Sequence, residues 1–146
     1  GLTHVAGCTG STSERIVQAL FGLPDHAMLD MGDFAGGLLK YLAKHPVDRI
    51  TIGGGIGKMT KLAQGARDLH SKRSQVDFAK LADVLGQPEL TSMNTALQAY
   101  EVAGKPFAEY VAQGAMIHAA QMLKGTGVQV DTVVIDRAGI VLAKAS

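Results

Sequence analysis

The stretch from Arg49 to Lys58 constrains this chain more than any other. A short apolar run rich in β-branched residues, Arg49 to Ile52, leads straight into Gly53-Gly-Gly-Ile-Gly57 and then Lys58. β-Branched residues favour strands. A strand running into glycines and then a helix is the repeating unit of α/β folds. It turns bare backbone N–H groups and a helix N-terminus toward a ligand, which suits an anion. Lys58, Lys61, Arg67, Lys72 and Arg73 place five cations within sixteen residues around that turn. The expected ligand carries phosphates or carboxylates.

Two familiar phosphate loops do not fit. A Walker loop needs a glycine five positions before its Gly-Lys pair and Ser or Thr after it. Ile52 and Met59 stand there instead. The dinucleotide fingerprint needs a third glycine where Lys58 stands. What remains is Gly53-x-Gly55-x-Gly57, a spacing also found in glycine turns that hold adenosyl cofactors. Its plainer reading is a tight turn that needs only positive φ.

The rest of the chain alternates strand and helix signals. Thr3 to Cys8 is a strand, and the capping box Ser11-x-x-Glu14 opens a helix through about Leu20. Ala27 to Met31 is a second strand, after which Asp33 caps a helix ending at Lys44 before His45-Pro46. The glycine turn leads to a helix ending near Ala66. Ser74-x-x-Asp77 is a further capping box, with Gly86 closing its helix. Helices at about Ser92 to Val102 and Pro106 to Lys124 precede a strong strand, Val128 to Asp136. A turn at Arg137-Ala138-Gly139 returns into Ile140 to Ala143. The expected fold is a three-layer α/β sandwich, with a mostly parallel sheet and a C-terminal antiparallel hairpin.

Composition narrows the classes. The 146 residues suffice for one domain with a core, residues 1–146, and 47% hydrophobic content argues against disorder. A net charge of +1 argues against a dedicated nucleic-acid binder. The basic stretch also lacks interleaved aromatics, since Phe78 stands alone between Thr51 and Gly86. The single cysteine, Cys8, excludes an internal disulfide and a cysteine zinc site, and fits a reducing cytoplasm. No apolar run approaches the ~20 residues of a membrane span. The histidines are scattered, so no protein-held metal is expected. The start at Gly1-Leu2-Thr3, without an initiator methionine, reads as a piece of something longer.

In open α/β sheets, ligands bind beyond the carboxyl ends of the strands. Three polar segments fall there. Thr9, Gly10, Ser11, Thr12 and Ser13 follow strand one and offer hydroxyls and helix N–H groups. Asp30 and Asp33 follow strand two, where adenosine-binding α/β folds place the acceptor for ribose hydroxyls. Gly53, Gly54, Gly55 and Gly57 follow strand three. Ser11 and Asp33 are equally read as plain helix caps. Asp68 and His70, two apart on an extended loop, point the same way. They are candidates for proton handling or substrate orientation, or for a loop whose polar groups are satisfied locally.

Several of these runs carry a resemblance. Thr9-Gly-Ser-Thr-Ser-Glu14, Met31-Gly-Asp-Phe34, Gly53-Gly-Gly-Ile-Gly-Lys58, Lys61-Leu-Ala63 and Asp68-Leu-His-Ser-x-Arg-Ser-Gln-Val-Asp77 resemble the C-terminal half of the CbiD family. These are the cobalt-precorrin-5B C(1)-methyltransferases of anaerobic cobalamin biosynthesis. The likeness runs from about Val5 to Leu85 and more loosely through Asn94 to Ala99 and Val134 to Gly139. It implies S-adenosylmethionine as methyl donor and a cobalt-containing tetrapyrrole as acceptor, with the metal held by the macrocycle. It also implies a partner region, the family's N-terminal part with its Thr-Thr-Gly motif, which is absent here. Lys58, Lys61, Arg67 and Arg73 then suit the acceptor's acetate and propionate arms, and Asp30 or Asp33 suits the donor's sulfonium. Methyl transfer needs mostly in-line positioning, and no nucleophilic triad is present. A nucleotide-like binding module without chemistry of its own is the rival reading. Homo-oligomerisation is left open.

Overall fold

The computed structural model describes residues 3–146; Gly1 and Leu2, part of the start noted above, lie outside the described residues. Five strands form one sheet: β1 (His4–Cys8), β2 (Met28–Asp30), β3 (Arg49–Gly55), β4 (Gln129–Ile135) and β5 (Val141–Ala145). Their spatial order is β2-β1-β3-β4-β5, parallel throughout except for β5, which pairs antiparallel with β4. From β1 the chain steps outward to β2, then returns across the sheet to β3 and β4. The reversal opens a crevice between the carboxyl ends of β1 and β3.

Strand alternation decides the layers. On one face Ala6, Cys8, Val133 and Ile135 pack against Val17 of α1 (Ser11–Phe21). Their sequence neighbours Val5, Ile50, Ile52, Val130 and Val134 point the other way. They share one core with buried residues of α2 (Ala35–Lys44), α3 (Ile56–Ala63), α4 (Phe78–Leu85), α5 (Ala96–Ala103) and α6 (Lys105–Met122). The long α6 lies close to its neighbours because it presents Ala108, Ala112, Ala115 and Ala119, all fully buried. Thr132 fixes it to the sheet by donating its hydroxyl to the Ala112 carbonyl at 2.7 Å. The result is the expected three-layer sandwich. Among the described residues, no helix is long and apolar enough to cross a membrane.

Three helix caps differ from expectation. Gly10, not Ser11, is the N-cap of α1, and the Ser13 hydroxyl bridges back to the Gly10 N–H (3.2 Å) and carbonyl (2.9 Å). Phe34 begins α2 without a side-chain cap, because Asp33 turns to a lysine instead. Asp77, not Ser74, caps α4 by accepting from the Lys80 N–H at 3.0 Å. Asp33 and Ser74 each found a different partner, Lys58 and the Asp68 carbonyl. Helix α5 begins four residues later than expected, at Ala96, behind a 3-10 turn over Pro88–Ser92. Gly86 closes α4 at φ 66°, as its position predicts.

Candidate functional site

The glycines after Ile52 do not form a turn. Gly53, Gly54 and Gly55 continue β3, paired with Val133, Val134 and Ile135, and neither they nor Gly57 has positive φ. Close approach explains the first two. A Cβ on Gly53 would lie 2.5 Å from Val17 Cγ2, and one on Gly54 would lie 2.7 Å from the Thr9 side chain. Gly55 and Gly57 differ, because a Cβ there would enter open space. Gly55, at φ −67° and ψ 157°, is the N-cap of α3. The run thus divides into a half required by packing and a half that faces a cavity.

That cavity, of about 570 Å³, fills the crevice between β1 and β3. Its walls are Thr9 to Ser13 after β1, Gly55 to Lys58 after β3, Thr95 to Leu97 at the start of α5, and Ile135 to Arg137 after β4. Three helix N-termini open into it; Thr95 caps α5 with its side chain, but the N-caps of α1 and α3 are glycines without a side chain to satisfy the first-turn N–H groups. Those groups are left for a ligand. Asp136 is the sole carboxylate among the lining residues. Its Oδ1 accepts from the Ala138 and Ile140 N–H groups, each at 2.9 Å, which fixes the hairpin turn and leaves Oδ2 free. Glycine at 139, with φ 85°, lets this turn lie against Thr12 and Ile16.

A second cavity of about 280 Å³ adjoins the first, sharing Gly57, Lys58, Thr95 and Ala96. Lys61, Ser71, Ser74, Gln75 and Asn94 supply its polar wall. Lys58 stands at the partition, with Nζ 2.5 Å from Asp33 Oδ1. The approach lacks hydrogen-bond alignment, so this solvent-shielded oxygen is held by the ion pair alone.

The site residues expected from sequence are therefore brought together only in part. Thr9 to Ser13, Gly55, Gly57, Lys58 and Lys61 line the two cavities. Gly53 and Gly54 are buried in the strand. Asp30 ends β2, exposed, opposite Cys8. Arg67 lines a separate cavity of about 160 Å³ with His118 and Gln121. Lys72 and Arg73 are exposed on the loop between α3 and α4. Asp68 and His70 line neither cavity. That loop is a turn rather than extended, with the Arg73 and Ser74 N–H groups donating to the His70 carbonyl. Asp68 Oδ1 accepts from the His70 N–H (3.1 Å), and the Ser74 hydroxyl donates to the Asp68 carbonyl (2.8 Å). His70 Nδ1 accepts from the Lys72 N–H at 3.1 Å, which leaves the proton of the neutral ring on Nε2.

Sequence reading missed Thr95, Asp136 and Arg137. The signal was available, since Asp136 follows a parallel strand at its carboxyl end and so obeys the same rule as the segments that were chosen. Cys8 lies beside the glycine strand, paired with Gly53, where burial pushes its thiol up to about 12 despite a hydrogen bond with the Gly53 backbone. It is no nucleophile at neutral pH.

The model of the CbiD C-terminal domain matches residues 68–146. The chain belongs to the CbiD family. Among similar proteins is the cobalt-precorrin-5B C(1)-methyltransferase of Brucella anthropi, 51% identical over 99% of this chain and 42% of that protein. The enzyme of the same name from Brucella ovis is 50% identical over the same shares. This CbiD chain thus spans 42% of the length of the curated relatives it matches. A β-carbonic anhydrase of Aspergillus fumigatus aligns over 99% of the chain and 75% of its own, with 16% identity and a TM-score of 0.42, too little to bear on fold or function.

Proposed function

We propose that this chain is the C-terminal portion of an S-adenosylmethionine-dependent methyltransferase that methylates C-1 of cobalt-precorrin-5B in cobalamin biosynthesis, with residues 1–146 forming one α/β domain. One observation carries the cofactor reading. The crevice at the sheet's reversal point combines two uncapped helix N-termini, two glycines whose missing Cβ leaves room, and one carboxylate. These residues fit a ligand that has both an anionic end and a hydroxylated, cationic one. When bound, S-adenosylmethionine supplies a methyl group on a positively charged sulfur.

The protein's part is to bind, orient and exclude water. First-turn N–H groups of α1 and α3 would hold the carboxylate end. Oδ2 of Asp136 would accept from ribose hydroxyls or favour the positive sulfur, the task that sequence alone assigned to Asp30 or Asp33. Lys61 would draw the acceptor's carboxylates, Lys58 would do so only as far as its pairing with Asp33 allows, and Arg67 and Arg73 would add longer-range attraction from outside the cavities. Asp68 and His70 would act by holding the loop that walls the second cavity. The names of the Brucella relatives support the acceptor.

A binding module without turnover is the second reading, favoured by the chain's 42% share of its relatives' length. Titration with S-adenosylhomocysteine and with ATP, followed by backbone chemical shifts at Gly55 and Gly57, tests the first. Selective binding of S-adenosylhomocysteine is expected. A preference for ATP would overturn it. Methyl transfer by the full-length enzyme, compared with this chain, separates the two readings.

A further inference from the structure

The second cavity has no assigned occupant. Its wall is mixed, apolar at Val76, Phe78 and Ala96 and polar at Ser71, Ser74, Gln75 and Asn94, and its cations are Lys58 and Lys61. The Lys61 ammonium donates to the Leu69 carbonyl at 3.1 Å, which fixes its position and leaves two N–H donors unused. Gln75 is held in the same wall by donating from Nε2 to the Ser71 carbonyl at 3.3 Å. The Ser74 hydroxyl spends its proton on the Asp68 carbonyl and so faces the cavity as an acceptor. Among the described residues no carboxylate lines this space. Lys58 reaches it from the partition but is neutralised by Asp33, whereas no carboxylate lies within ion-pair distance of Lys61 among the described residues. The site is thus built around an unneutralised, positioned ammonium in a cavity of about 280 Å³. That volume suits a short carboxylated arm and cannot take a whole macrocycle.

Gly57 links the two cavities. It stands in the first turn of α3, lines both, and has open space where a Cβ would be. We infer that the second cavity is a carboxylate subsite, anchored by Lys61, that seizes one acetate or propionate arm of the acceptor and so sets its ring across Gly57, facing the first cavity. This rests on the methyl-acceptor reading above for the ring, but the preference for a carboxylate follows from the cavity alone. Asn94, also in the wall, adds a neutral donor.

The test uses one macrocycle in two charge states, dicyanocobyrinic acid and its heptamethyl ester. Each is titrated calorimetrically into the 146-residue chain at fixed ionic strength, because salt screens the charge. The acid should bind at least about tenfold more tightly than the ester, as one charge-assisted contact warrants. Lys61→Gln should bring the two within about threefold, and Lys61→Arg should restore the difference. Asn94→Ala, on an exposed side chain with no hydrogen bond among the described residues, is a second variant should Lys61→Gln unfold the loop. It should weaken the acid alone, by about threefold. Equal binding of acid and ester, or an undiminished preference in Lys61→Gln, overturns the subsite. S-Adenosylhomocysteine is titrated into the same proteins. Its failure to bind beside an intact preference for the acid would overturn the methyl-donor reading and leave the subsite standing.

Discussion

Lys58 reaches out of the first turn of α3 to Asp33, 2.5 Å away on the loop that follows β2. The pair ties together the ends of two strands that are not neighbours, with β1 between them. It also neutralises the one lysine shared by both cavities. Both side chains are partly exposed, so the bond should contribute less than about 1 kcal/mol to folding. Its consequence is electrostatic.

Asp33→Asn releases the Lys58 charge into the crevice. Tm should move by no more than a few degrees. Affinity for cationic S-adenosylmethionine should fall relative to S-adenosylhomocysteine, which lacks the positive sulfur. Calorimetric titration with both ligands checks this, and an unchanged ratio would show that Lys58 does not face the sulfur.

Gly53 and Gly55 should respond in opposite ways. Gly53→Ala drives a Cβ to 2.5 Å from Val17 and should destabilise the fold by about 1–3 kcal/mol, as overpacking does. The Cβ of Gly55→Val would meet no protein atom within 4 Å, and φ −67° is open to any residue. The substitution should leave the denaturation midpoint nearly unchanged and abolish S-adenosylhomocysteine binding. Intact binding in Gly55→Val would move the ligand elsewhere.

His4 should make stability fall in mild acid. Its pKa is held below the ordinary 6.5, first by burial and then by the Arg49 guanidinium, with Asp131 opposing. The unfolded chain therefore takes up the proton at higher pH than the folded one. Stability from this residue is full above about pH 6.5 and is lost as pH falls through the lower folded value. Thr51 donates to Asp131 Oδ1, so His4 Nε2 donates to the Thr51 hydroxyl at 2.7 Å. His4→Gln can keep a donor there without titrating. Urea midpoints between pH 7 and pH 5 should drop in the parent and flatten in His4→Gln.

His70→Ala removes the acceptor of the Lys72 N–H and should loosen the wall of the second cavity. In the full-length enzyme, KM for the tetrapyrrole should rise with kcat little changed, the pattern of lost uniform binding. A fall in kcat at constant KM would place His70 in the transition state instead. Arg73→Lys should have a smaller effect. The Arg73 side chain is 73% exposed, it pairs with Asp68 at 3.8 Å, and lysine keeps the long-range charge.

What the sequence determined by itself was the kind and order of the main elements. Alternating apolar runs, glycine and proline stops and the return through Arg137 to Gly139 specified a mostly parallel sheet with an antiparallel edge. The carboxyl-end rule found Thr9 to Ser13 and Gly55 to Lys58, because strand direction follows from connectivity. The sequence could not say which short polar group would cap a helix and which would reach across the fold. Ser11, Asp33 and Ser74 all had the right spacing for a cap, and each was outcompeted or engaged elsewhere. Nor could it distinguish glycines that bend from glycines that make room, since Gly53 and Gly54 are small only because Val17 and Thr9 lie against them. The buried base of the sheet is the clearest case. Asp131, 82 residues beyond Arg49, is satisfied by the Arg49 guanidinium and the Thr51 hydroxyl, with Arg49 Cζ 4.9 Å from the centre of the Phe21 ring. Only parallel pairing of β3 with β4 in that register brings these partners together, and a buried carboxylate without them would not be tolerated.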